Sequence, residues 1–248
     1  MRIVVPDDFP PVYQGFSELD ALAPYGEVVL YGTKAADSQE LIDRLKGAVA
    51  LINIRAYSRF TDEVLSALPD LRHLAILGTG TDNVDLAAAT RLGIVVSNTP
   101  GASTVSVAEH TIALMFAVAR HVALVDRNMR AGQWKHVEGF ELKGKTLGVV
   151  GLGAIGQEVA TIGRALGMRV VAWSLTRDEE RARRVGAELV ELDELLATSD
   201  VVSLHLRASP RTAGLIGQRE IGLMKPTAIL VNTGRGALVD ERALAEAL

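Results

Sequence analysis

The residues whose types and spacing most plainly carry chemistry are Gly151-Leu152-Gly153-Ala154-Ile155-Gly156. They follow the strand-like run Thr146-Leu147-Gly148-Val149-Val150 without a gap and open a helical pattern. A lone G-x-G-x-x-G says little, but between a strand and a helix it predicts a phosphate cradle. The first glycine permits the tight turn, the second lets a pyrophosphate approach the backbone, and the third packs helix against strand. Free N–H groups and the positive end of the helix dipole then hold the phosphates. The expected ligand is a dinucleotide held at Gly151, Gly153, Ala154, Ile155 and Gly156.

The end of the following strand decides which dinucleotide. NAD-binding turns usually have Asp or Glu about twenty residues on, accepting from the ribose hydroxyls. Here Arg169-Val170-Val171-Ala172-Trp173 ends at Ser174, with Arg177 three residues further and no carboxylate at the expected place. Serine and guanidinium suit the 2′-phosphate of NADP. Arg177 could equally begin the exposed charged run that ends at Arg184. NAD and NADP both stay open, with the tilt toward NADP. The five histidines, His73, His110, His121, His136 and His205, form no cluster in sequence, and no metal site is expected. Glu109 and His110 are adjacent, but neighbouring helix positions diverge and make no acid–base pair. His205 ends a strand, where a structural or cofactor-lining role is expected.

These residues need a scaffold, and the hydrophobic pattern supplies one. Strand-like runs at Arg2–Val5, 28–31, 48–54, 74–77 and 94–97 alternate with helical patterns at 39–46 and 61–68. Such βαβ alternation predicts a parallel, doubly wound sheet. The turn Asn98-Thr99-Pro100-Gly101 breaks the pattern, and one long helix is predicted over 103–131, capped by Gly132. The alternation then restarts with strands at 145–150, 169–173, 201–206 and 228–232 and helices at 153–166, 178–184, 192–197 and from Glu241. The later strands are almost continuously apolar, as burial on both faces of a parallel sheet requires. The expected fold class is therefore α/β, with two doubly wound parallel-sheet domains over residues 1–98 and 99–248.

Composition narrows the setting. The chain has 248 residues, 48% hydrophobic and 23% charged, with no cysteine and a formal net charge of −4. Mean hydropathy is +0.22 and the pI about 5.8. A nucleic-acid face would want clustered excess Lys and Arg, so no nucleic-acid partner is expected. Without cysteine there are no disulfides and no thiolate chemistry. The longest apolar stretch, 105–125, carries Glu109, His110, Arg120 and His121, which argues against a membrane span. A cytoplasmic protein is expected.

Several ordered motifs resemble those of the D-isomer-specific 2-hydroxyacid dehydrogenases. They include the segment from Gly78 to Asp85, Val96-Ser97-Asn98-Thr99-Pro100-Gly101 with Val107-Ala108-Glu109-His110-Thr111, and Gly132-Gln133-Trp134. They continue through the segment from Ser199 to Leu206, Met224-Lys225-Pro226, and Asn232-Thr233-Gly234-Arg235-Gly236. The resemblance implies a flavodoxin-like substrate domain (1–98) and a Rossmann NAD(P)-binding domain (99–248). It also implies an oxidoreductase that moves a hydride between NAD(P)H and a small 2-oxo or 2-hydroxy acid. Arg235 would hold the substrate carboxylate, which its permanent charge and planar fork suit. Arg55, Gly78, Thr79 and Gly80 would contact substrate, the glycine loop through backbone N–H groups. Thr104, Leu206, Arg207, Thr212, Thr233 and Gly234 would line the dinucleotide. A homodimer is implied through the helix from about Ser103.

The resemblance also stops short. The family's orienting glutamate and catalytic histidine stand in segments like D-V-F-x-x-E-P and T-P-H, and the sequence reaches Leu248 without either. The Rossmann domain is accordingly expected to be incomplete and these 248 residues inactive by themselves, since general acid catalysis contributes about 10²–10⁴-fold. The alternative is a non-catalytic dinucleotide-binding or redox-sensing module. Leu206-Arg207 also replaces the family's usual Val-Pro. Glyoxylate, hydroxypyruvate and 3-phosphohydroxypyruvate all remain open as substrates.

Overall fold

A computed structural model describes residues 1–54 and 56–248. The chain forms two compact units, Met1–Ala102 and Ser103–Leu248. The break falls after the turn at 98–101, because that turn is tied to the first unit. Thr99 N–H donates to the Gly78 carbonyl at 2.9 Å, and the Asn98 amide donates to the Thr79 carbonyl at 2.9 Å.

The first unit runs β1 (Arg2–Val5), β2 (Glu27–Leu30), α1 (Ser38–Leu45), β3 (Ala50–Asn53), α2 (Asp62–Ser66), β4 (His73–Ile76), α3 (Leu86–Arg91) and β5 (Val95–Asn98). All strands are parallel, in the order β2-β1-β3-β4-β5, which is the flavodoxin-like winding. Its helices begin on capping side chains: Asp37, Thr61 and Asp85 each accept the N–H of the residue three positions on. Leu41, Leu45, Leu51, Phe60, Leu65 and Leu74 fill the core between sheet and helices. A 3-10 segment at Ser17–Tyr25 buries no residue and contains Pro24, so no apolar periodicity announces it.

The second unit runs α4 (Thr104–Ala119), α5 (Val122–Arg130), β6 (Thr146–Val150), α6 (Ala154–Ala165), β7 (Arg169–Trp173), α7 (Glu179–Val185), β8 (Glu188–Leu189), α8 (Leu192–Thr198), β9 (Val201–Leu204), α9 (Gln218–Leu223), β10 (Ile229–Asn232) and α10 (Glu241–Ala247). Its parallel order is β10-β9-β6-β7-β8. The crossover direction reverses between β6 and β9, the Rossmann switch point where dinucleotides bind. Val149, Val150, Val171, Val201 and Val202 are completely buried, as central parallel strands demand.

One expected element is corrected. The single helix predicted over 103–131 is two, meeting at 65°. His121 adopts a left-handed φ of 52°. The Ala119 carbonyl accepts the N–H of Phe140 at 3.0 Å instead of continuing the helical ladder. A chain segment twenty-one residues away therefore ends α4, and hydrophobic periodicity across 103–131 gives no sign of it. Among the described residues no single helix is long and apolar enough to cross a membrane. The α4–α5 pair passes that test only together and across its bend.

Candidate active site

The turn after β6 has the geometry its glycines require. Gly151 sits at φ +101°, and a Cβ there would lie 2.8 Å from the His205 carbonyl oxygen. Its N–H donates to the Trp173 carbonyl at 2.7 Å, fastening the turn to β7. A Cβ on Gly156 would overlap the Gly151 carbonyl, so the third glycine lets α6 lie against the turn. Gly153 differs from both. Nothing lies within 4 Å of where its Cβ would stand, so that face of the turn is open. Behind it α6 begins with no side-chain cap, which leaves its first N–H groups without intrahelical partners. An open face on a twelve-residue helix's N-terminus at the switch point fits a pyrophosphate. Ala154 and Ile155 are the first two residues of that helix.

At the end of β7 the polar groups are already engaged. Ser174 Oγ accepts the Leu152 N–H at 2.8 Å, so this hydroxyl braces the glycine turn. Arg177 donates to Glu179 at 2.7 Å and lies 3.7 Å from Glu191. Trp173, Ser174, Leu175, Arg177, Leu189, Val190, Glu191 and Arg211 line a cavity of about 270 Å³. Sequence reasoning did not single out Arg211 or Glu191. Their one available signal was charge in the loops facing the end of β7, and the pairing of those loops is not local.

Beyond β9 the chain crosses the switch point. His205 N–H donates to the Val150 carbonyl at 2.8 Å, and its Nε2 pairs with Ser203 Oγ at 2.8 Å. Burial pushes the imidazole pKa down to about 4, so the ring is neutral at physiological pH. Leu206 lies against the place a Gly151 side chain would occupy, and Arg207 is exposed. Thr212 is buried, and its hydroxyl donates to the Arg207 carbonyl at 2.7 Å while accepting the Ser209 N–H at 2.9 Å. It staples the 207–212 loop.

Arg235 stands three residues past β10, just before a 3-10 turn at Gly236–Leu238. Asn232 accepts the Gly234 N–H at 3.0 Å and donates to the Arg235 carbonyl at 2.9 Å. Thr233 Oγ1 lies 2.9 Å from Thr111 Oγ1 on α4, and Thr104 is the first residue of that helix. Because the sheet is parallel, this loop, the β9 end and the glycine turn lie at the same edge of the second unit.

In the first unit, Gly78 takes φ +125° after β4. Its N–H donates to Thr99 Oγ1 at 2.7 Å and is thus already used within the unit. Arg55 lies outside the described residues. Among the described residues no group of three His, Cys, Asp or Glu could hold a metal.

Comparison with known proteins meets this geometry. The NAD binding domain of the D-isomer specific 2-hydroxyacid dehydrogenases matches residues 112–248. A glyoxylate reductase of Aeropyrum pernix is 43% identical over 240 residues, covering 93% of this chain and 71% of that protein. A D-3-phosphoglycerate dehydrogenase of Archaeoglobus fulgidus is 44% identical over 212 residues, covering 85% of this chain and 40% of that protein. The crystal structure of a phosphoglycerate oxidoreductase from Vibrio cholerae superposes with a TM-score of 0.89 at 32% identity, covering 99% of this chain and 79% of that one. With a nicotinamide dinucleotide turn at the switch point and relatives of this identity and coverage, the chain belongs to the D-isomer specific 2-hydroxyacid dehydrogenase family.

Proposed function

We propose that these residues form the larger part of an NAD(P)H-dependent reductase of small 2-oxo acids, with Arg235 holding the substrate carboxylate. The observation that carries this reading is the sharing of one sheet edge by the open face at Gly153 and the Arg235 loop. A nicotinamide extending from the glycine turn and a carboxylate paired to Arg235 would then meet over the ends of β6, β9 and β10. When bound, the dihydronicotinamide would supply hydride chemistry there, reducing a keto carbon to the 2-hydroxy acid with a proton taken up from water or a general acid. The chain's own contribution is positional: Gly153 and the start of α6 hold the pyrophosphate, and Arg235 orients the acid. In the first unit, the backbone N–H groups of Thr79 and Gly80 suit a carboxylate, and Arg55, outside the described residues, has the charge for a further substrate contact. Thr104, Leu206 and Thr233 line the dinucleotide.

NADPH preference belongs to the same proposal. It rests on Arg177 and Arg211 lining one cavity beside Ser174, with no carboxylate at the end of β7. The Arg177 pairs with Glu179 and Glu191 are exposed, and such pairs are worth about 0–1 kcal/mol. A dianionic 2′-phosphate, with charge-assisted bonds to guanidinium, displaces them.

The deciding assay is oxidation of NADPH and NADH with glyoxylate and with hydroxypyruvate, comparing these 248 residues with the longest product of the reading frame. Turnover that Arg235→Ala abolishes supports the reductase, and faster turnover with NADPH supports the cofactor preference. Tight dinucleotide binding with no turnover of any 2-oxo acid in either form sinks the reductase in favour of a sensing module.

The proposal includes a homodimer through the second unit's apolar face. Val105, Phe116, Val118, Val122, Met129 and Trp134 are all exposed, Trp134 to 88%. Exposed apolar side chains on α4, α5 and the segment after them are the kind of surface an obligate interface buries.

A further inference from the structure

We propose that Asn232 is the positioning residue for Arg235, with Thr111 bracing the same loop from α4. The inference rests on reading Arg235 as the carboxylate-binding residue. β10 ends at Asn232 and the next hydrogen-bonded turn begins at Gly236, so the strand ladder does not reach the residues carrying the guanidinium. The Asn232 carboxamide spans that gap. Its Oδ1 accepts the Gly234 N–H at 3.0 Å and its Nδ2 donates to the Arg235 carbonyl at 2.9 Å, closing a ring over residues 232–235. Only a side chain that both donates and accepts at this length can make the pair of bonds.

Thr111 fixes the loop from the opposite side. Its hydroxyl bonds to the Val107 carbonyl at 2.8 Å and to Thr233 Oγ1 at 2.9 Å. The carbonyl can only accept, so Thr111 spends its single proton there and Thr233 donates to Thr111. Thr111 is fully buried, so its end of this bond is shielded from solvent. Gly234 is enclosed as well: a Cβ there would lie 3.3 Å from both the Leu206 carbonyl oxygen and Leu238 Cδ1. The Arg235 backbone is thus held at residues 232, 233 and 234 by three unrelated contacts. Orienting a carboxylate requires such fixation, because a displacement of about 1 Å can cost about a hundredfold.

The test measures oxamate affinity of the NADH complex, and NADH affinity alone, in the protein expressed from its complete reading frame. The variants are Asn232→Ala, Arg235→Ala, their double mutant, Thr111→Val and Thr111→Ser. Asn232→Ala is expected to weaken oxamate about a hundredfold. NADH affinity should fall far less than oxamate affinity, because the glycine turn, untouched by these changes, supplies the main hold on the dinucleotide and this loop adds only Thr233. In the Arg235→Ala background the Asn232 change should add nothing, because both act through one guanidinium. Thr111→Val, isosteric and without a hydroxyl, should cost about fivefold for the lost bond, and Thr111→Ser should restore it. Multiplying rather than saturating effects overturn the proposal, as do unchanged oxamate affinity in Asn232→Ala and Thr111→Val or a parallel fall in NADH affinity. Should Asn232→Ala fail to fold, the Thr111 pair decides alone. If Arg235→Ala binds oxamate like the parent, the reading of Arg235 falls and takes this one with it.

Discussion

At the scale of single residues, His205 shows how burial fixes a protonation state. Among the described residues its ring has only Ser203 Oγ as a polar partner, and burial holds its pKa down at about 4 against an ordinary value of 6.5. Between those values the unfolded chain takes up a proton that the folded chain refuses. Stability from the neutral ring is therefore complete above about pH 6.5, declines as pH falls toward 4, and amounts to something on the order of 3 kcal/mol. His205→Asn should flatten that part of the pH dependence of the urea midpoint between pH 7 and 4.5. An unchanged slope would show that the ring titrates alike in the folded and unfolded chain, and would reopen it as an acid. Residue types at this scale were legible in the sequence, but partners were not. Ser174 was expected to face a phosphate, and its Oγ accepts an N–H from Leu152, twenty-two residues back. Thr212 was read as lining the dinucleotide and is buried as a loop staple. Hydroxyls bond to whatever the fold brings near, and no spacing rule encodes that.

At the scale of elements, the glycine turn separates two functions that a G-x-G-x-x-G pattern runs together. Gly156→Ala must push α6 off the turn, because its Cβ would overlap the Gly151 carbonyl. It should cost about 1–3 kcal/mol, the range for overpacking a tight contact. Gly153 has an ordinary φ of −73° and open space at its Cβ. Gly153→Ala should therefore leave the melting temperature within about 2 °C while weakening NADH or NADPH at least about tenfold, because its methyl occupies the phosphate approach. Calorimetric melts with dinucleotide titration distinguish the two. If Gly153→Ala binds as the parent does, the pyrophosphate lies elsewhere. The strands and α6 were legible to within a few residues because parallel-strand burial and helical periodicity are local signals. The break between α4 and α5 was not, since Phe140 takes the Ala119 carbonyl from outside the helix. His121 bears the conformational cost of that break at φ 52°. His121→Val should therefore destabilise by about 1–2 kcal/mol, the penalty for a branched side chain in left-handed backbone, whereas His121→Gly should not. Equal melting temperatures for the two variants would mean the helix runs on through residue 121.

At the scale of the whole molecule, apolar surface is unevenly spent. Each unit closes its own core, around Phe60 and Leu74 in the first and around Met115, Val149 and Leu195 in the second. The parallel, doubly wound sheet that makes each core was legible from alternation, whereas its strand order was implied only by the family resemblance. The face of α4 and α5 was visible only as an excess of hydrophobic residues over what a solvated helix carries, with Val105 at 60% and Val122 at 53% exposure. Ion pairs do not account for that face. The pairs on α5 and α10, Arg130–Asp126 and Arg242–Glu246, are exposed helix pairs, worth about 0.3–0.5 kcal/mol each. The proposed burial against a second copy would account for it, and predicts that sedimentation at tens of micromolar gives a dimer insensitive to salt, since apolar contacts are not screened. Phe116→Glu, placing a charge in that interface, should give monomers whose cofactor affinity is unchanged, because the glycine turn lies on separate elements. A parent protein that sediments as a monomer, or a Phe116→Glu variant that stays dimeric, would remove the α4–α5 face as the interface.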